Sequence, residues 1–200
     1  MLVFWEERLV FLAVPKTGTT AIEMAYRPYA GIAITDPPVV KHTPLYRYRR
    51  FLAPYFEKSG ASDFETVAVV REPVDWLGSW YRYRQRDDLV GHPNSTRDLS
   101  FDDFVRGYLR RDRPAFASVG SQAKFLQDAE GAIGVTHLFR YEEPEPLLRF
   151  LAGRVGKRPE LKRLNESPSM ELSLRPRLRE RLEEECPDEF TVWRAAGTGG

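Results

Sequence analysis

The chain predicts an α/β fold, a parallel sheet flanked by helices in three layers, and three observations carry that prediction. Apolar runs of strand length at residues 9–14, 66–70 and 136–141 are each followed by a stretch of helical character. Strands that alternate with helices pair in parallel, and the right-handed crossover then sets their carboxyl ends along one edge of the sheet. With 42% hydrophobic residues over 200 positions, the chain is also long enough to bury a core of its own.

Taken in order, residues 2–14 allow an opening hairpin whose second arm, 9–14, reads as a strand buried on both faces. Pro15 stops that strand, Gly18 permits a tight turn, and helix formers from Ala21 carry a helix to about Tyr29. Residues 30–38 read as irregular and 44–58 as an aromatic and basic helix. The β-branched run before Arg71 suits a buried strand. Pro73 then opens a helix over 74–86, because its missing N–H costs nothing in the first turn. Residues 89–97 form a loop, and Ser100, with Asp103 at the capping-box position, starts a helix that runs to about Arg111. A helix at 120–127, a strand at 136–141, a helix at 144–155, a loop at 156–170 and a last helix at 177–185 complete the chain. No repeat or linker divides it, so residues 1–200 read as one domain.

The chemistry concentrates at two strand ends. In Pro15-Lys-Thr-Gly-Thr-Thr20, the first-turn amides of the following helix have no helical partner, and Thr17, Thr19 and Thr20 add hydroxyls. Lys16 adds a mobile charge, and Gly18 allows close approach of the backbone to an anion. At the second end Arg71 stands where open α/β sheets bind ligands. Ser79 follows eight positions later, about two helical turns on, so a guanidinium and a hydroxyl can share one phosphate. The loop is not the G-x-x-x-x-G-K-[ST] of ATP-binding proteins: Lys16 precedes Gly18 and no glycine lies upstream.

The order Pro-Lys-Thr-Gly-Thr-Thr resembles the 5′-phosphosulfate loop of the sulfotransferase family, whose donor is 3′-phosphoadenosine 5′-phosphosulfate (PAPS). Arg71 and Ser79 match in type and spacing the arginine and serine that hold the donor's 3′-phosphate in that family. The match covers residues 8–30 and 65–86 well. Residues 120–143, with Ser121-Gln-Ala-Lys-Phe-Leu126, resemble more loosely the helix and strand of a carbohydrate-type member. The pair before Asn165 resembles a late loop over the nucleotide. The resemblance implies a P-loop NTPase-like sulfotransferase fold and transfer of a sulfuryl group to a hydroxyl of a saccharide or small metabolite, without a metal. It also implies that Lys16, Thr17, Gly18, Thr19, Thr20, Arg71 and Ser79 bind the donor, and that Lys16 stabilises the departing phosphate. His42 occupies the place of the catalytic histidine of some carbohydrate sulfotransferases, with Glu23 the alternative base. His92 reads as a loop residue and His137 as part of a strand. The arginines interleaved with aromatics at 46–51 and 80–86 suit an acceptor site for a sugar ring or an anionic saccharide.

Lys and Arg nearly balance Asp and Glu, 30 against 29, which argues against nucleic acid as the main partner. No apolar run approaches the ~20 residues of a membrane span, and no leader pattern opens the chain, so a soluble, cytoplasmic protein is expected. Cys186, the single cysteine, sits in an acidic run that opposes thiolate formation, and without export Asn94 and Asn165 are not glycosylation sites. Two other readings stay open: an ATP-dependent P-loop kinase, which would require Mg²⁺, and a non-catalytic nucleotide- or glycan-binding module. Acceptor identity and oligomeric state are also open at this level.

Overall fold

The computed structural model describes residues 1–161 and 170–197. Its centre is a five-stranded sheet of order β3-β1-β2-β4-β5, with β1 at Leu2–Phe4, β2 at Leu9–Leu12, β3 at Ile32–Ala33, β4 at Glu65–Val70 and β5 at His137–Arg140. Strands β2, β4 and β5 are parallel, whereas β1 runs antiparallel to both β2 and β3. The expected parallel sheet is therefore corrected to a mixed one. Only residues 5–8 join β1 to β2, far fewer than the dozen or so that a parallel crossover needs, so these two strands close as the hairpin. Strand β3 falls within the segment read as irregular, because two residues are too few to show alternation.

The helices are α1 (Thr19–Tyr26), α2 (Pro38–Lys41), α3 (Leu45–Arg47), α4 (Ala53–Lys58), α5 (Pro73–Tyr83), α6 (Phe101–Leu109), α7 (Gln122–Leu126), α8 (Pro144–Val155), α9 (Pro176–Glu185) and α10 (Pro187–Ala195). A π-helical segment, Tyr48–Leu52, carries α3 into α4. Alternation along the central strands sends Phe11, Val67 and Val69 to one face, against Ile22 and Tyr26 of α1 and Leu147 and Leu151 of α8. Val10, Leu12, Ala68 and Val70 go to the other, against Leu45, Phe56, Phe125 and Val192. Both faces are thus buried between helical layers, which is why β4 reads as a continuous apolar run.

A second core lies among helices α5, α6, α9 and α10, where Trp76, Phe104, Tyr108, Leu182 and Phe190 are almost fully buried. The capping box of α6 is complete, with Ser100 Oγ accepting from Asp103 N at 3.1 Å and Asp103 Oδ2 accepting from Ser100 N at 3.4 Å. Helix α10 was not apparent in the sequence, because the acidic run before Pro187 hides its start. Among the described residues, no helix is long and apolar enough to cross a membrane.

Candidate functional site

The carboxyl ends of β2, β4 and β5 share one edge of the sheet. They deliver the Lys16 loop, Arg71 and Tyr141 to one place. Lys16 has φ 67° and Gly18 φ 71°, so two of three consecutive residues are left-handed. For the lysine that conformation costs roughly 1–2 kcal/mol. Thr17 is buried and donates its hydroxyl to Val14 O at 2.9 Å, so it shapes the loop from beneath rather than facing a ligand. Gly18 caps α1 without a side-chain bond, and no acidic residue occupies the first turn. Among the described residues the amides of Thr19 and Thr20 have no partner. A Cβ on Gly18 would come within 3.1 Å of the Tyr141 ring.

Arg71 is anchored at several points. Its main chain is held by the fully buried Gln122, whose Oε1 accepts from Arg71 N and whose Nε2 donates to Arg71 O, each at 2.9 Å. Its guanidinium donates to Asp75 Oδ2 at 2.5 Å and to Lys16 O at 3.3 Å, and lies 4.2 Å from the centre of the Tyr141 ring. Its Nη2 has no partner among the described residues. Asp75 also accepts from Arg82 at 3.4 Å. On the turns of α5, Ser79 shares a face with Asp75, Arg82 and Tyr83. It is 5% exposed, and its hydroxyl has no partner among the described residues.

Lys16 Nζ sits 4.2 Å from the Tyr83 ring centre and 5.7 Å from that of Trp80. No carboxylate among the described residues pairs with it. Burial first, then the charges of Arg86, Arg71 and Arg82, lower its pKa to about 8. Lys16 therefore feels three arginines, of which Arg71 and Arg82 share the carboxylate of Asp75. Such an arrangement favours an anion.

On the other side of the loop, Val14, Pro15, Trp76 and His42 open onto a cavity of about 400 Å³. His42 Nδ1 lies 2.7 Å from Ala13 O. A carbonyl can only accept, so Nδ1 carries the proton and Nε2 keeps its lone pair. Burial, opposed by that bond and aided by Lys41, lowers the pKa of His42, so the imidazole is neutral at pH 7. Glu23, the alternative base, is 3% exposed and pairs with the Met1 ammonium at 2.8 Å and Lys41 at 2.6 Å. Its carboxylate is committed to those cations. His92 accepts from Asn94 N in its loop, and His137 pairs with Glu65, so both act in local structure.

The chain matches no protein-family model, no curated protein and no solved structure. The geometry is therefore the ground for a function.

The structure brings Arg71 against the Lys16 loop that opens α1 at Gly18, Thr19 and Thr20, sets Ser79 one turn of α5 beyond the Asp75 that Arg71 binds, and places His42 against Ala13 at the foot of the loop. It adds residues that sequence reasoning missed or placed elsewhere. Arg82 on α5 and Arg86 just beyond its end, read as acceptor-site residues, lie near enough to Lys16 to lower its pKa, and Arg86 rests 4.4 Å from the centre of the Tyr83 ring that Lys16 also faces. Gln122 falls in the segment matched only loosely by the resemblance, which gives it no role, and only its hydrogen bonds to the Arg71 main chain mark it. Tyr141 and Asp75 carried no signal beyond their proximity to β5 and Arg71. The basic pair before Asn165, and Asn165 itself, lie outside the described residues. Among the described residues, no group of three or more His, Cys, Asp or Glu side chains is placed to hold a metal.

Proposed function

We propose that the protein is a PAPS-dependent sulfotransferase that transfers a sulfuryl group to a hydroxyl of a saccharide or small metabolite. One observation carries this reading: two anion grips, the Lys16 loop and the Arg71–Ser79 pair, meet at one sheet edge, and a neutral histidine opens onto the cavity beyond. Two grips suit a donor with a phosphate at each end of its ribose. The hydroxyl of Ser79 and Nη2 of Arg71, both without a partner among the described residues, fit the acceptor-rich 3′-phosphate. The donor supplies the activated sulfuryl group.

The protein's own residues divide the remaining work. Lys16 and the amides of residues 18–20 hold the 5′-phosphate and gain strength as negative charge grows on its leaving oxygen, so they stabilise the transition state more than the ground state. His42 Nε2 takes the proton of the acceptor hydroxyl as its oxygen bonds to sulfur. The cavity holds that hydroxyl in line across Pro15 and Trp76. The sulfuryl group carries less charge than a phosphoryl group, so these cations can replace a Mg²⁺ clamp.

The test is calorimetric titration with 3′-phosphoadenosine 5′-phosphate, using ATP with Mg²⁺ as comparator. Tight binding of the former with weak ATP supports the reading. Preference for ATP·Mg²⁺ replaces it with a kinase.

A further inference from the structure

The cavity beyond His42 has a one-sided charge. Arg47, Arg113 and Lys124 line it, and among the described residues no aspartate or glutamate does. In a chain whose net charge is only +1, three arginine or lysine side chains lining one small cavity are a local concentration. They are not spent on neighbours. Arg47 donates to Tyr46 Oη at 2.9 Å and Arg113 to Gly120 O at 3.2 Å, and among the described residues none of the three pairs with a carboxylate. Arg113 also rests 3.8 Å from the centre of the Tyr108 ring, which fixes where its charge points. Apolar surface is supplied by Trp76, Phe125 and Pro44. A volume of about 400 Å³ lies at the small end of ligand sites.

We infer that this cavity selects an acceptor that is itself anionic, a saccharide bearing a carboxylate or sulfate a short distance from the hydroxyl that reacts. The hydroxyl meets His42 Nε2, while the anionic group reaches Arg113, Lys124 and Arg47 elsewhere on the cavity lining. Three cations facing an uncharged ring would have nothing to pair with, and burying them against it would cost their hydration. A neutral saccharide is therefore selected against as well as less attracted. This inference rests on the reading of the His42 side as the acceptor side, but not on the identity of the donor.

The experiment measures binding rather than turnover. A disaccharide ending in glucuronate, its glucose counterpart and a sulfated hexose are titrated against the full chain, with and without saturating 3′-phosphoadenosine 5′-phosphate. The uronate, the sulfated sugar or both should bind roughly tenfold or more tightly than the neutral one, a preference that shrinks with added salt. The double variant Arg47→Gln, Lys124→Gln alters two exposed side chains whose loss leaves no buried group unpaired. It should abolish that preference and leave binding of the nucleotide unchanged. Equal binding of charged and neutral sugars, or a charge preference that survives the double variant, overturns the inference. So does competition between the nucleotide and the charged sugar, which would make the cavity part of the donor site. Charge-selective binding in a protein that ignores the nucleotide would keep this inference and discard the PAPS reading.

Discussion

The lysine of the anion loop is expected to take up a proton when a dianion binds. Free Lys16 is held near pKa 8 by burial and by three arginines, against 10.5 for an ordinary lysine. At about 1.4 kcal/mol per pH unit, that lowering represents up to ~3.5 kcal/mol of unfavourable charge in the empty site. A bound phosphate supplies the missing counter-charge and returns the lysine toward its ordinary value. If the bound value reaches 10.5, uptake should be below ~0.1 proton per ligand at pH 7, ~0.5 at pH 8 and ~0.9 at pH 9. Phosphate monoesters, with a second pKa near ~6, are already dianionic there and contribute little. Calorimetric titration with 3′-phosphoadenosine 5′-phosphate in pairs of buffers that differ in ionisation enthalpy measures the uptake directly. Burial also lowers the Met1 ammonium below its ordinary 8.0, so Lys16→Met serves as the subtraction control that isolates the lysine. The sign of the stability change follows from the same values. Between pH 8 and 10.5 the unfolded chain holds the proton that the free folded protein has lost, so the stability of the free protein should rise across that window, and Lys16→Met should flatten the rise. Uptake that is absent at pH 8 to 9, or equal in the Lys16→Met variant, refutes the placement of the anion at this lysine.

Arg71→Ala removes a charge-assisted phosphate contact and should weaken nucleotide binding by ~1.5–3 kcal/mol, unchanged affinity being the contrary result. Gln122→Leu cuts both bonds to the Arg71 main chain, each worth ~0.5–1.5 kcal/mol, and should lower Tm and nucleotide affinity together; lower Tm with intact affinity would deny Gln122 a positioning role. His42→Ala should lower turnover by ~10²- to 10⁴-fold with nucleotide binding intact, and the wild-type rate should fall in acid only below pH 6.5, because burial keeps the imidazole neutral above it. Equal turnover would remove His42 as the base. Burial raises the pKa of Glu189, which accepts from Gln122 N at 3.2 Å, so its stabilising contribution is present below pH 4.5 and is lost as pH climbs through the folded value. Glu189→Gln keeps an acceptor without the charge, so its Tm advantage over the wild type should widen with pH; a constant difference would contradict this.

Much of this architecture was legible because its signals are local. The run at Val67 to Val70, Pro73 at the helix start and the Ser100–Asp103 box each act within a few residues, and the structure places β4, α5 and α6 there. The sheet's mixed character turned on the length of one connection, residues 5–8, which makes a hairpin whatever the helices elsewhere suggest. The loop from Pro15 to Thr20 could be read because its unusual composition is contiguous. What surrounds it could not. Gln122 reaches Arg71 across 51 positions, and Glu23 is drawn inward by Lys41 and Met1, contacts that no periodicity encodes. Arg82 and Arg86 carried the right chemistry but were given to the other side of the site, because the facing of α5 is set by Trp76 in the core and Arg86, past the end of that helix, folds back over Tyr83.

Trp76 belongs at once to the helical core, to the wall of the His42 cavity and, through a 2.9 Å bond from its indole N–H to Pro15 O, to the anion loop. A partition built from a core residue cannot be moved to suit a different acceptor without loosening α5 and the loop together. On the reading proposed above, acceptor preference would be redrawn in evolution or in the laboratory from the outer rim, at Tyr46, Arg47 and Lys124, where a change is answered by solvent instead of by the fold.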